Sequence, residues 1–167
     1  ASAGIRGAGM KTAFGVITVL LALAFSAVAQ PGPDDLWTQY RDAAIEADQQ
    51  GRLLDAEKLL RAALALAETF GPQDKRLALT LNNLAVHCDG QGREDEAIAY
   101  HKRALALSQQ LVPPDRDLTI STLNNLAMLY SHRGKDGEVE VERYYRKALE
   151  LAQSAERIEP DRLERIL

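Results

Sequence analysis

From about residue 36 onward the chain alternates between short apolar stripes and polar faces at helical spacing, and no stretch alternates as a strand would. Leu77, Leu81, Leu84, Ala85 and Cys88 recur at three- and four-residue intervals, so they share one face of a helix. Gly90-Gln91-Gly92 then interrupts the pattern, because glycine is costly inside a helix and permits a turn. A second stripe follows, with Ala97, Ile98, His101, Ala104, Leu105 and Ser108. Gly71-Pro72 and Val112-Pro113-Pro114 mark the ends of longer helices, since proline disfavours helix at the residue before it. The pattern therefore predicts an all-α fold.

The stripes repeat. Leu81-Asn82-Asn83-Leu84-Ala85 reappears 42 residues later as Leu123-Asn124-Asn125-Leu126-Ala127. Each copy is followed by a Gly-basic pair, Gly92-Arg93 and Gly134-Lys135, and then by an Ala-Leu run, Arg103-Ala104-Leu105 and Lys147-Ala148-Leu149. Gly51-Arg52 and Arg61-Ala62-Ala63-Leu64 give an earlier copy. A fixed period of this size marks a stacked repeat, in which neighbours bury the stripe that no single helix pair can bury alone. The expected units span about 36–70, 76–111 and 118–154. Six helices in three antiparallel pairs follow, with turns near Gln50-Gly51, Gly90–Gly92 and Gly134–Gly137. The third copy carries two extra residues around Asp136-Gly137-Glu138, which predicts a longer turn or an irregular helix start. Leu167 stands eighteen residues after Leu149, as Leu123 does after Leu105, so 160–167 reads as a partial fourth copy of a chain that continues.

The repeats resemble the tetratricopeptide repeat. Leu81, Leu84, Ala85 and Cys88 with Ala97 and His101 fit its pattern, as do Leu123, Leu126, Ala127 and Tyr130 with Val141 and Tyr145. In the first copy the second helix fits through Ala56, Leu60 and Ala63, and the first helix more weakly through Tyr40, Ala43, Ala44 and Ala47. The length of the unit and its LNNLA and RAL runs are similar to the kinesin-light-chain class. The resemblance implies a right-handed α-α superhelix over 36–167. It also implies a protein- or peptide-binding scaffold in which the first helix of each pair lines a groove, and in which groove asparagines bond peptide backbone. Asn82, Asn83, Asn124 and Asn125 are the candidates, because an amide offers both donors and an acceptor; the alternative is that one of each pair tightens contact between repeats. Aligned positions add Arg41 and Met128, with Val86, Asp89 and Ser131. A second functional reading makes the chain the N-terminal regulatory region of a larger enzyme or signalling protein, and a third makes it a spacer.

The N-terminal thirty residues read differently. Met10-Lys11 precedes an uncharged run from Thr12 to Val28 whose centre is Val16, Ile17, Val19, Leu20, Leu21 and Leu23, and Ala27-Val28-Ala29 completes an A-x-A end. This is the layout of a secretory signal peptide cleaved after Ala29. It predicts an exported protein, periplasmic or secreted and bacterial in style, with 1–29 as leader and upstream residues and 30–35 as a linker. The alternative is an uncleaved anchor, the only membrane contact expected; the run is short for a span of about 20 residues.

Composition narrows the chemistry. Hydrophobic residues make up 46% of the chain and aromatics only 5%, an Ala- and Leu-based core of the kind that favours close helix packing. A net charge of −4 with mixed signs excludes the basic stripe of a nucleic-acid binder. A single cysteine, Cys88, permits no internal disulfide and reads as a buried packing residue. His87, His101 and His132 lack metal-ligand spacing, and no nucleophile elbow, phosphate loop or dinucleotide loop occurs. Asp34-Asp35 and Glu94-Asp95-Glu96 read as acidic helix starts. The sequence thus leads to no catalytic residues, no metal and no cofactor.

Overall fold

A computed structural model describes residues 31–156, and the side chains of residues 31–154. The expected leader at 1–29 and the partial fourth copy at 160–167 lie outside the described residues. The chain divides into units 1–32 and 33–167, and the account below concerns the second. Its described part holds six α-helices: α1 (Pro33–Gln49), α2 (Leu53–Thr69), α3 (Lys75–Gly90), α4 (Glu94–Gln110), α5 (Arg116–Ser131) and α6 (Glu138–Glu156). They pack as the pairs α1/α2, α3/α4 and α5/α6, and successive pairs join through α2/α3 and α4/α5. The first helices of successive pairs also meet, α3 against α5.

Local chemistry sets the element ends. The α1/α2 and α3/α4 turns are built alike. Arg52 N–H reaches Ala47 C=O at 2.8 Å and Arg93 N–H reaches Cys88 C=O at 2.9 Å, with Gly51 and Gly92 at φ 72° and 71° between them. This is the Schellman closure, which needs a left-handed residue and hence glycine. Asp74 and Asp115 cap α3 and α5 by accepting from Arg76 N at 2.9 Å and Leu118 N at 3.0 Å. Helix α1 begins at Pro33, inside the segment 30–35 expected to be linker. Proline is tolerated at the first helical position because its missing N–H has no partner there.

The extra residues of the third copy form a 3-10 turn, Gly134–Gly137, before α6. Gly137 is there for space. A Cβ at that position would lie 1.9 Å from the Tyr130 carbonyl oxygen. The third pair differs from the sequence expectation in one place. Tyr144 is buried against Tyr130, with ring centroids 5.7 Å apart, whereas Tyr145 is 48% exposed. Leu60, at the position equivalent to Tyr145, packs against Leu84 of the following pair.

The core is a seam running through the stack. Ala44, Ala85 and Ala127 are fully buried, which lets the two helices of each pair approach closely. Trp37 of the first pair packs with Leu77 and Leu81 of the second and with Ala104. Cys88, Ala97 and Ile98 of the second pair pack with Leu123, Leu126 and Tyr144 of the third. Each leucine so buried contributes roughly 1.5–3 kcal/mol. Polar links fix the register between pairs. Trp37 Nε1 donates to Thr80 Oγ1 at 2.9 Å in the interior, and Thr80 donates onward to Arg76 C=O at 2.7 Å. Arg93 bonds Glu57 at 3.0 Å and Arg103 bonds Glu68 at 3.1 Å.

Candidate groove on the first helices

Three side-chain rows run across α1, α3 and α5 at equivalent positions: Arg41, Asn82, Asn124; Asp42, Asn83, Asn125; and Ile45, Val86, Met128. Helical spacing puts them on the face away from the seam, because Ala44, Ala85 and Ala127 occupy the seam.

The structure separates the residues that the sequence treats as one set. Asn82 is half-buried and accepts from Thr122 Oγ1 at 3.4 Å and from Asn125 Nδ2 at 3.5 Å, so these two asparagines meet across the α3/α5 junction. Asn83 lines a cleft of about 180 Å³ with Ile45, Asp48, Gln49, Leu60 and Val86. Asn124 is exposed, and Met128 is 46% exposed. Arg41 lies 4.8 Å over the Trp37 ring and bonds Asp42 at 2.8 Å. Sequence reasoning missed Ile45, Asp48, Gln49 and Leu60. The signal that could have found Ile45 was its register with Val86 and Met128. At the other end of the same helices a broader cleft of about 970 Å³ lies between Trp37, Arg41, Leu79, Lys75, Leu111 and Arg116.

The titratable groups are held by structure. The hydrogen bond from Arg93 keeps the Glu57 carboxyl below its ordinary range, and Arg76 does the same for Asp74. Burial pushes the Cys88 thiol up, so it stays protonated and packs as a small apolar group, with Arg93 Nη2 at 2.8 Å from Sγ. Burial pushes His101 down to about 4, so it is neutral at ordinary pH. His87 Nδ1 lies 2.7 Å from Asp48 Oδ1, its Nε2 contacts the Gln91 amide, and it thereby ties α3 to α1. Among the described residues no three His, Cys, Asp or Glu side chains gather in a way that could hold a metal. No described helix is long and apolar enough to cross a membrane.

Comparison with known proteins agrees with this geometry. No curated protein matches the chain. Among solved structures, the crystal structure of BtubC (BKLC) from P. vanneervenii, a kinesin-light-chain-like repeat protein, is similar at a TM-score of 0.67 with 25% identity. The alignment covers 77% of this chain and 50% of that one, so the chain spans about half the length of that relative. The profile described as tetratricopeptide repeat matches residues 34–110 and 90–154. Repeats of this kind generally serve as protein-interaction scaffolds. The paired helices, the glycine-closed turns and these matches together make the chain a member of the tetratricopeptide-repeat family.

Proposed function

We propose that the face built by α1, α3 and α5 holds an extended segment of a partner protein, and that the chain performs no chemistry on it. The observation that carries this reading is the coincidence, on one solvent-facing surface, of amides at Asn83 and Asn124 with the apolar row Ile45, Val86 and Met128. Amides satisfy peptide backbone without selecting a sequence, while apolar side chains supply the area that excludes water. Asn82 and Asn125 serve the junction between α3 and α5, so the ligand-facing amides are Asn83 and Asn124. The layout of 1–29 supports export of this binder, a reading checked by whether mature material begins at Gln30.

The test is a titration by fluorescence anisotropy with peptides selected on the full chain from a random library. Asn124→Ala removes an exposed amide that is paired only in the complex. Its affinity should fall about 5- to 150-fold, the cost of one lost hydrogen bond of about 1–3 kcal/mol. The melting temperature should not change. Peptides that bind Asn124→Ala and the parent equally would refute the groove reading.

A further inference from the structure

We propose that the cleft between α1 and α3 selects an extended peptide carrying one aliphatic residue of leucine or methionine size with a lysine or arginine within two positions of it. This rests on the groove reading above and names the chemistry of its ligand. The floor of the cleft is Leu60, 1% exposed, and its walls are Ile45 and Val86, 42% and 52% exposed. At about 180 Å³ it accommodates a single side chain; pockets for whole small molecules run to about 300–1,000 Å³. Two large apolar side chains left in water on facing helices gain most from an apolar occupant. Asn83 at the rim can bond the backbone of the residue that enters.

The charge preference comes from the helix segments that form the cleft. Asp48 lines the cleft, and residues 41–49 and 83–90 hold three further acids, Asp42, Glu46 and Asp89, against one cation, Arg41, which pairs with Asp42. These segments are the C-terminal halves of α1 and α3, the negative ends of the two helix dipoles. The last turn of α1 holds no basic residue to offset its dipole. His87 is in the last turn of α3, but it is buried and faces Asp48. A cation beside the cleft is therefore attracted, and a carboxylate is repelled. One pair further on, His101 takes the place of Leu60, so the equivalent floor between α3 and α5 is polar. The aliphatic preference accordingly belongs to the α1/α3 junction.

Random heptapeptides displayed on phage and selected on the full chain test this directly. Selected peptides should be enriched in leucine, methionine or isoleucine with a lysine or arginine within two positions. A synthetic peptide from that pool should lose affinity roughly ten-fold or more on Ile45→Ser/Val86→Ser, and likewise when its own lysine is replaced by glutamate. The Asp89→Lys variant should narrow or reverse the lysine-over-glutamate preference without touching the apolar walls, which guards against a folding defect in the double variant. Enrichment of acidic or wholly polar peptides, or equal affinity for the parent and both variants, would overturn the proposal. If Asn124→Ala still weakens those peptides, only the seat is lost and the groove reading stands.

Discussion

The buried His101 side chain makes the stability of the stack depend on pH in a way that one substitution can isolate. His101 is 1% exposed, its Nδ1 has no hydrogen-bond partner, and burial holds its pKa at about 4 against an ordinary 6.5. The folded state therefore stays neutral at a pH where the unfolded chain takes up a proton. Because the unfolded state binds more protons, stability falls as pH drops below about 6.5 and levels off near about 4. At about 1.4 kcal/mol per pH unit the full loss is about 3 kcal/mol, of which about 2 kcal/mol is gone by about pH 5. His101→Leu puts at this position the residue that the first pair carries at its equivalent, Leu60. It removes both the titration and the unpaired nitrogen, so at neutral pH it should be neutral or stabilising. The assay is urea unfolding of parent and variant across this range. His87 and the carboxylates are common to both proteins, so the difference reports His101 alone. The free-energy gap should widen by about 2 kcal/mol between about pH 7.5 and about pH 5. Parallel curves over that interval would show that His101 finds a proton acceptor or water when charged, and the argument from burial would fail.

Three further outcomes are expected. Gly137→Ala forces a Cβ against the Tyr130 carbonyl and should cost about 1–3 kcal/mol, seen as an earlier urea midpoint, because backbone cannot yield as a flexible side chain can. Thr80→Val deprives Trp37 Nε1 of its buried acceptor and should cost about 1–3 kcal/mol; an unchanged thermal melt would mean that water replaces the hydroxyl. Ala85→Trp inserts a large ring where the α3/α4 pair allows no side chain beyond a methyl. Circular dichroism should show severe loss of the cooperative transition, against a cost of at least about 3 kcal/mol.

The sequence by itself determined the helices, their pairing and the places where they turn. Those features rest on local rules: the left-handed demand met by Gly51 and Gly92, the aspartate caps, the proline stops, and apolar stripes with alanine at 44, 85 and 127. The repetition of these rules at a near-constant interval also implied stacking, since no single pair could cover its own stripe. The irregular start of α6 was legible from two surplus residues, but the Tyr144 and Tyr145 exchange was not. Which of two adjacent tyrosines is buried depends on what packs against α6, and spacing within the helix carries no information about that. The same limit governs the groove. Asn82 and Asn83 are neighbours of identical chemistry, yet one meets Asn125 across a junction and the other faces a cleft. Ile45 reads in sequence as one more apolar residue on a weakly patterned helix. It becomes a wall of that cleft only because the stacking of the first two pairs brings it opposite Val86 over Leu60. Contacts between pairs are set by how whole helices pack against each other, a tertiary property to which every side chain in the seam contributes, so only the assembled structure decided them.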